Sequence, residues 1–242
     1  MKIIKQNSSD LIMIEPKHFG FNIETAEDNH YQINDDLISE IEIKQKANKE
    51  FNELVKKIKE ENISVRVFDD EKNIITTDSV FPNNWISLHE EGKVILYPMF
   101  SKNRRKEREN SFVKSYLNNN YFINQIIDLT DWEKKEKFLE GTGSMIFDRI
   151  NKICFAAISN RTSSVVLKEL CDILHYDLFT FKANQTYNNN RVPIYHTNVM
   201  MSLGEQFVLI CLQCIDNLNE RSKIISILKD LKKEIIEISE KQ

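Results

Sequence analysis

The sequence has 242 residues, of which 41% are hydrophobic and 29% are charged, and its net charge is −4 at pH 7. At roughly 150 residues per domain, this length corresponds to about 1.6 domains and is ample for a hydrophobic core. The balance of apolar and charged residues excludes a disordered chain, and the net negative charge excludes a generally basic nucleic-acid-binding protein.

The apolar segments are too short to cross a bilayer. The longest has about eight residues, whereas a membrane-spanning helix needs roughly 20. The first ten residues, MKIIKQNSSD, contain no apolar core of the kind that a secretory signal carries. We therefore expect a cytoplasmic protein with neither a membrane nor a nucleic acid as its partner.

The four cysteines, Cys154, Cys171, Cys211 and Cys214, all lie in apolar segments. Cys211 and Cys214 form a CxxC pair, but the sequence contains no second pair that would complete a zinc site. Buried free thiols, with ICLQCI as a buried strand, are the favoured interpretation, and a zinc site is the alternative. Free thiols are typical of a reducing cytoplasm.

A strand, an amphipathic helix and a second strand recur four times along the chain. The first strands of the four repeats are predicted to start near residues 11, 94, 153 and 207. Apolar residues at helical spacing predict the four helices at 42–61, around 112–117, at 167–174 and at 221–231. The return strands are expected at 63–68, 126–129, 176–181 and 234–239.

Repeats of roughly 50 to 80 residues are typical of a cyclic or stacked α/β architecture. A generic α/β protein with right-handed crossovers has the same alternation of strands and helices, and it remains the alternative. In the first helix, one apolar face is expected to contain Phe51, Leu54, Val55 and Ile58.

Two segments between the repeats combine polar groups with turn-forming residues. Residues 77–85, TDSVFPNNW, contain an acid, two adjacent amides and a Pro. They indicate either a simple turn or a polar floor under a planar ligand. Residues 138–144, FLEGTGS, hold two of the five glycines directly after Glu140. Here the alternatives are a tight hairpin with a solvated Glu140 and a carboxylate that projects into a cleft.

A third segment, residues 193–204 (PIYHTNVMMSLG), places His196 between a Tyr and a Thr-Asn pair. A lone His on an apolar segment is usually structural, yet His is the side chain best suited to proton transfer near neutral pH. Together the three segments supply a carboxylate, an imidazole and amides. This combination is typical of an active site that still needs a nucleophile.

The motifs TDSVFPNNW, FLEGTGSMIFDR and YHTNVMMSLGE resemble the arginine deiminase-related, citrulline-utilisation hydrolases of the pentein superfamily, which are amidinotransferase-like enzymes. The opening LIMIEPKHFGFNIETAEDN and the loop NRRKERE are similar to that family too, so the resemblance runs from about residue 10 to the end of the chain. It implies a five-bladed α/β propeller around a central pocket, of which this chain would supply about four blades.

The resemblance also implies a chemistry. A Cys thiolate of the family attacks the planar carbon of a guanidino or ureido compound, a His moves protons, and neither a metal nor an organic cofactor is needed. Carried over by motif, Glu140 would orient the substrate and His196 would be the general acid and base. The substrate-binding residues implied in the same way are Asp78, Phe81, Asn83, Asn84 and Asn198.

Two of these positions bear on the charge of the substrate. In the pattern of arginine-processing relatives, the positions like Asn84 and Asn198 carry carboxylates, which suit a guanidinium that has only donors. Amides offer both a donor and an acceptor, as does a neutral ureido group. The resemblance therefore favours a neutral substrate such as citrulline.

The family's nucleophilic Cys lies in a Gly-rich segment near the C-terminus, and none of the four cysteines here has that setting. We expect residues 1–242 to form a single pentein-like domain that is truncated at its C-terminus and inactive in this form. The alternative is a non-catalytic relative that binds a ligand or associates with other proteins through the same scaffold. Self-association into a homo-oligomer is compatible with either.

Overall fold

A computed structural model describes residues 4–34, 37–71, 73–120 and 122–241. The chain divides into two compact units. The first unit is Ser8–Asp128, and the second unit combines Met1–Asn7 with Leu129–Gln242. Among the described residues, no helix has the length and apolar character needed to cross a membrane.

The first unit contains two of the predicted repeats. Its elements are β1 (Asp10–Ile14), α1 (Ile23–Ala26), α2 (Glu40–Glu60), β2 (Ser64–Phe68), β3 (Ile86–Leu88), β4 (Lys93–Leu96), α3 (Ser111–Asn119) and β5 (Gln125–Asp128). Strand β1 pairs in parallel with β2 across α2, and β4 pairs in parallel with β5 across α3. Strand β3 adds to β4 in the antiparallel direction.

The second unit contains the other two repeats and a separate hairpin. Its elements are α4 (Gly141–Ser144), β6 (Ile146–Asp148), β7 (Ile153–Ala157), α5 (Ser164–Leu174), β8 (Asp177–Phe181), β9 (Asn184–Tyr187), β10 (Asn190–Pro193), β11 (Met201–Leu203), β12 (Phe207–Ile210), α6 (Leu218–Asp230) and β13 (Glu234–Glu237). Strands β7 and β8 are parallel across α5, as are β12 and β13 across α6, while β6 and β11 are antiparallel additions.

The α/β class and the four strand–helix–strand repeats are thus confirmed, and the repeats begin at Asp10, Lys93, Ile153 and Phe207. Local signals explain the helix ends. The Ser39 side chain accepts from the Glu42 backbone while the Glu42 carboxylate accepts from the Ser39 backbone, which is a capping box at the start of α2. Asn110 and Asn217 cap α3 and α6 with their side-chain oxygens.

Each unit has its own apolar core. In the first unit, Trp85 and Met99 pack with Ile14 and Val94. In the second unit, a larger cluster joins β7, β8 and β12 to α6 through residues such as Phe155 and Ile224. Burial of apolar surface, at about 25 cal/mol per Å², stabilises the packing of α3 and α6, which contribute Val113 and Ile224 to these cores.

Two details of the sequence prediction were wrong. Leu54 is half exposed, although Phe51 and Val55 on the same helix are buried. The sequence predicted a strand that continues through Cys211 and Cys214. In the structure β12 ends at Ile210, and Leu212–Cys214 form a 3-10 turn. Both cysteines are nevertheless buried free thiols, as expected.

Candidate active site

Glu140 and His196 meet in the interior of the second unit. The His196 Nε2 atom lies 2.7 Å from the Glu140 Oε2 atom. The carboxylate residue is 0% exposed and the histidine is 5% exposed. The structure therefore rules out the solvated Glu140 that the hairpin interpretation required.

The short helix α4 fixes the direction of the Glu140 side chain. Glu140 lies immediately before α4, and its backbone N–H donates to the Ser144 hydroxyl at 2.9 Å. The Ser144 hydroxyl in turn donates to the Arg161 carbonyl at 2.8 Å. Gly141 has a φ of +45°, a region in which a side chain is disfavoured. Glycine thus permits the backbone conformation that follows Glu140.

The segment after β10 positions His196. The hydroxyl of the adjacent Thr197 donates to the Ser144 carbonyl and accepts from the Ala157 backbone N–H at 2.8 Å. One threonine thus ties the histidine segment to both α4 and strand β7. The Tyr195 ring also lies against the His196 ring, with centroids 4.7 Å apart.

A third charged group, Arg161, completes the cluster. Its Nη1 atom lies 3.4 Å from the Glu140 Oε2 atom, and its guanidinium stands 4.7 Å above the centre of the Tyr195 ring. The residue is only 2% exposed. Arg161 is not among the site residues predicted from the sequence. Arg161 lies in the loop between strand β7 and helix α5. This position could have indicated a functional role from the sequence, because functional groups gather where parallel strands end.

This arrangement can hold and move a proton. The Glu140 carboxylate can accept a hydrogen bond from an N–H of the His196 imidazole, and the low local dielectric of the interior strengthens such a bond. The same carboxylate has lone pairs with which to accept N–H groups from a ligand. Asn198, two residues after His196, is exposed in this structure.

In the first unit, Asn84 and Asp78 surround a buried arginine that the sequence analysis did not single out. Arg104 is 4% exposed, and its Nη1 atom donates to the Asn84 Oδ1 atom at 2.7 Å. Its Nε and Nη2 atoms bind both oxygens of Glu107, at 2.7 and 2.9 Å. The Phe81 carbonyl also accepts from Nη2. The Arg104 guanidinium therefore fixes the TDSVFPNNW segment through its hydrogen bonds to Phe81 and Asn84.

The other predicted residues of this segment have different surroundings. The Asp78 Oδ2 atom accepts from the Asn22 side chain at 2.7 Å and lies 3.6 Å from Arg104 Nε. Asn83 is half-buried, whereas the Phe81 side chain is 47% exposed. Pro82–Asn84 form a 3-10 turn, so the turn interpretation of the segment is correct as far as the backbone is concerned.

All four cysteines are buried. Burial raises the pKa of the Cys154 and Cys214 thiols, which disfavours the reactive thiolate. A hydrogen bond from Cys154 lowers the pKa of the Cys171 thiol, but this side chain is buried in α5 and lacks the exposed setting of a reactive cysteine. Among the described residues, no group of three or more His, Cys, Asp or Glu side chains is arranged to hold a metal ion.

Comparison with solved structures finds the same fold in arginine-processing enzymes. One match is the N-terminal domain of ArgZ, an arginine dihydrolase from cyanobacteria, in the form of a Cys-to-Ser mutant bound to substrate. The alignment covers 94% of this chain and 75% of that domain, at 20% identity and a TM-score of 0.67. A Cys-to-Ala mutant of AgrE with L-arginine matches 96% of the chain, at 20% identity and a TM-score of 0.67, and the chain covers 31% of it.

A more distant structural match is a His-to-Gly variant of dimethylarginine dimethylaminohydrolase in adduct with S-methyl-L-thiocitrulline. It is 13% identical, with a TM-score of 0.62, over 99% of this chain and 78% of that one. No curated protein sequence matches the chain. The model of the family described as N,N dimethylarginine dimethylhydrolase, eukaryotic, matches residues 15–242. The chain therefore belongs to this dimethylarginine dimethylhydrolase family, and with it to the pentein superfamily of hydrolases.

Proposed function

We propose that the second unit binds a guanidino or ureido compound at the Glu140–His196 pair. The observation that carries the proposal is the contact of 2.7 Å between the Glu140 carboxylate and the His196 imidazole in the protein interior. A planar N–H donor fits a carboxylate, and a neighbouring imidazole can exchange protons with the ligand's nitrogen atoms. Membership of a family of guanidino C–N hydrolases supports the same assignment.

The reaction proposed for the family site proceeds in two balanced steps. A Cys thiolate adds to the central carbon of the ligand, and the amine leaves with a proton from the His196 imidazolium. His196 then takes a proton from water, the resulting hydroxide adds to the same carbon, and the thiolate departs unchanged. Glu140 accepts N–H bonds from the ligand and holds the imidazole in place. In sum, one water molecule adds across one C–N bond, with no metal or organic cofactor.

We further propose that these 242 residues bind the ligand without turning it over. The support is the burial of all four cysteines and the raised pKa of Cys154 and Cys214. The same observation favours the second candidate function, a non-catalytic ligand-binding or protein-association role. We take the four repeats as blades of the family's propeller, and we propose a cytoplasmic location because the thiols are free.

Substrate charge is the finer part of the proposal. The family pattern assigns substrate contacts to Asp78, Phe81, Asn83, Asn84 and Asn198. Because Asn84 and Asn198 are amides, we propose a neutral ureido ligand such as citrulline. The Asn84 carbonyl already accepts from Arg104, which orients its amide group and fixes which end is free to donate.

The test is calorimetric titration of the purified protein with citrulline, arginine and norvaline, which has no ureido group. We expect citrulline to bind at least about tenfold more tightly than arginine, a difference of ~1.4 kcal/mol, and norvaline not to bind. The variants Asn84→Asp and Asn198→Asp should each shift the preference towards arginine because they add a carboxylate. Asn52→Asp, on an exposed face of α2, is the matched control.

The outcomes separate the parts of the proposal. A preference for arginine in the unmodified protein would refute the neutral substrate but keep the ligand site. No binding of citrulline or arginine would refute the ligand site and favour protein association. Release of ornithine or ammonia from either compound would refute the claim that these residues do not turn it over.

A further inference from the structure

We propose that Cys211 and Cys214 are a closable dithiol, which forms an intramolecular disulfide when the protein meets hydrogen peroxide or a small-molecule disulfide. We also propose that Arg191 controls how fast this site reacts. This modification site is separate from the Glu140–His196 pair and does not depend on the ligand proposed for it.

The backbone already brings the two sulfur atoms together. Cys214 donates from its Sγ to the Cys211 Sγ at 3.0 Å. The two residues are the ends of one 3-10 turn, in which the Cys214 backbone N–H donates to the Cys211 carbonyl at 3.2 Å. A disulfide bond is about 2.05 Å long, so closure needs a movement of about 1 Å without unfolding of the turn.

An exposed cluster of charges covers the outer side of this turn. Arg191, on the β9–β10 hairpin, donates to the Gln213 carbonyl at 3.2 Å, and Gln213 lies between the two cysteines. The same guanidinium binds the Asp216 carboxylate at 2.6 Å and forms an ion pair with Glu240. We call Arg191, Asp216 and Glu240 the Arg191 clasp.

The Arg191 clasp joins the turn to surface elements that can open locally. Arg191 is 35% exposed in its side chain and Asp216 is 47% exposed. The Glu240 carboxylate also accepts from the Thr186 backbone N–H on β9 at 2.8 Å. Solvent-exposed ion pairs of this kind contribute little to stability. Opening of the clasp is therefore a low-energy route by which an oxidant reaches the buried thiols.

The chemistry balances with either oxidant. When the clasp opens and water reaches the turn, one thiol gives up its proton and attacks a peroxide oxygen as a thiolate, which forms a sulfenic acid and releases hydroxide. The hydroxide takes up that proton and becomes water. The second thiol then attacks the oxidised sulfur, an S–S bond forms and a second water leaves. Two thiols lose two electrons to one peroxide molecule. With oxidised glutathione, two exchange steps give the same disulfide and two reduced glutathione molecules.

The other two cysteines provide an internal reference. Cys154 is on strand β7 and Cys171 is on helix α5, so the pair joins two elements and does not share a turn. These two thiols also hydrogen-bond to each other, which lowers the pKa of Cys171, so the two pairs differ in access and not in the proximity of their sulfur atoms. Both residues are buried, at 0% and 2% exposure. Nothing equivalent to the Arg191 clasp is found around this pair among the contacts of the described residues. We therefore expect Cys211 and Cys214 to be oxidised first.

The experiment treats the folded 242-residue protein with hydrogen peroxide, quenches it, unfolds it and alkylates it with N-ethylmaleimide before peptide mass spectrometry. We expect the peptide that carries Cys211 and Cys214 to lose two hydrogens and to escape alkylation, while Cys154 and Cys171 remain alkylated. Cys211→Ser should abolish this product. Arg191→Ala should speed its formation about fivefold, whereas Lys229→Ala, at an exposed site on α6, should leave the rate unchanged.

Unfolded protein under the same peroxide shows that the oxidant is effective, and this makes a negative result decisive. Full alkylation of Cys211 and Cys214 in the folded protein, when the unfolded chain is oxidised, would overturn the site. So would a disulfide between Cys154 and Cys171 formed in its place. An unchanged rate in Arg191→Ala would overturn the role of the clasp. Oxidised glutathione is the second probe, and the same disulfide is expected.

Discussion

Replacing Glu140 with alanine should lower the free energy of unfolding by about 3–5 kcal/mol, because a buried ion cluster loses one partner. The carboxylate faces the His196 imidazole at 2.7 Å and the Arg161 guanidinium at 3.4 Å, and all three residues are buried. Without it, the Arg161 charge stays in the interior and loses its ion pair with Glu140. Urea unfolding of the variant and the unmodified protein measures the difference.

Two further variants make this result specific. Glu140→Gln keeps the size and one acceptor oxygen but loses the charge, so its effect should lie between those of the unmodified protein and Glu140→Ala. Glu205→Gln removes a charge from an exposed position in the same unit and should change the unfolding free energy by less than about 0.5 kcal/mol. A Glu140→Ala protein as stable as the Glu205→Gln protein would show that the cluster is not buried as described.

Replacing Lys233 with methionine should produce the other large effect, again about 3–5 kcal/mol of lost stability. The Lys233 ammonium lies 3.1 Å from the Asp148 carboxylate, and both side chains are almost completely buried. It also donates to the carbonyls of Gly204 and Glu205. Methionine keeps the length of the side chain but removes the ammonium group. The buried Asp148 carboxylate then loses its ion pair with Lys233 and keeps its hydrogen bonds from Asn151.

A second change at Asp148 checks the cause. The double variant Lys233→Met with Asp148→Asn should recover part of the loss, because the unpaired charge is removed while the hydrogen-bonding shape remains. Lys229→Met, an exposed position on α6, is the matched control and should have little effect. Equal stability of Lys233→Met and Lys229→Met would contradict a structural role for the buried pair.

The repeats were predictable from sequence because strand and helix periods are local properties. Each first strand is a short apolar run that ends at a polar loop, and each helix shows its apolar face at helical spacing. The β9–β10 hairpin was not predicted. Its turn contains Asn188 and Asn189, which have φ angles of 47° and 61°. Adjacent asparagines were the signal available in the sequence, because asparagine tolerates the positive φ that a tight hairpin turn requires.

The charged partners of the site were harder to predict. Glu140 and His196 were identified through motifs, and the structure places them in contact. Arg161 and Arg104 were not, because an arginine is usually exposed and only a tertiary partner makes its burial favourable. The 3-10 turn at Cys211–Cys214 was missed for a similar reason. An apolar run of this length is compatible with a strand or a turn, and packing decides between them.

The most direct test of the central proposal is titration of the unmodified protein and of His196→Ala with citrulline, each checked for folding by circular dichroism. The proposed site predicts saturable binding at one equivalent in the unmodified protein and no measurable binding in His196→Ala. The exposed His175, replaced by asparagine, is the matched control and should bind normally. Equal affinity of the unmodified protein and a folded His196→Ala would contradict the assignment of the Glu140–His196 pair as the ligand site.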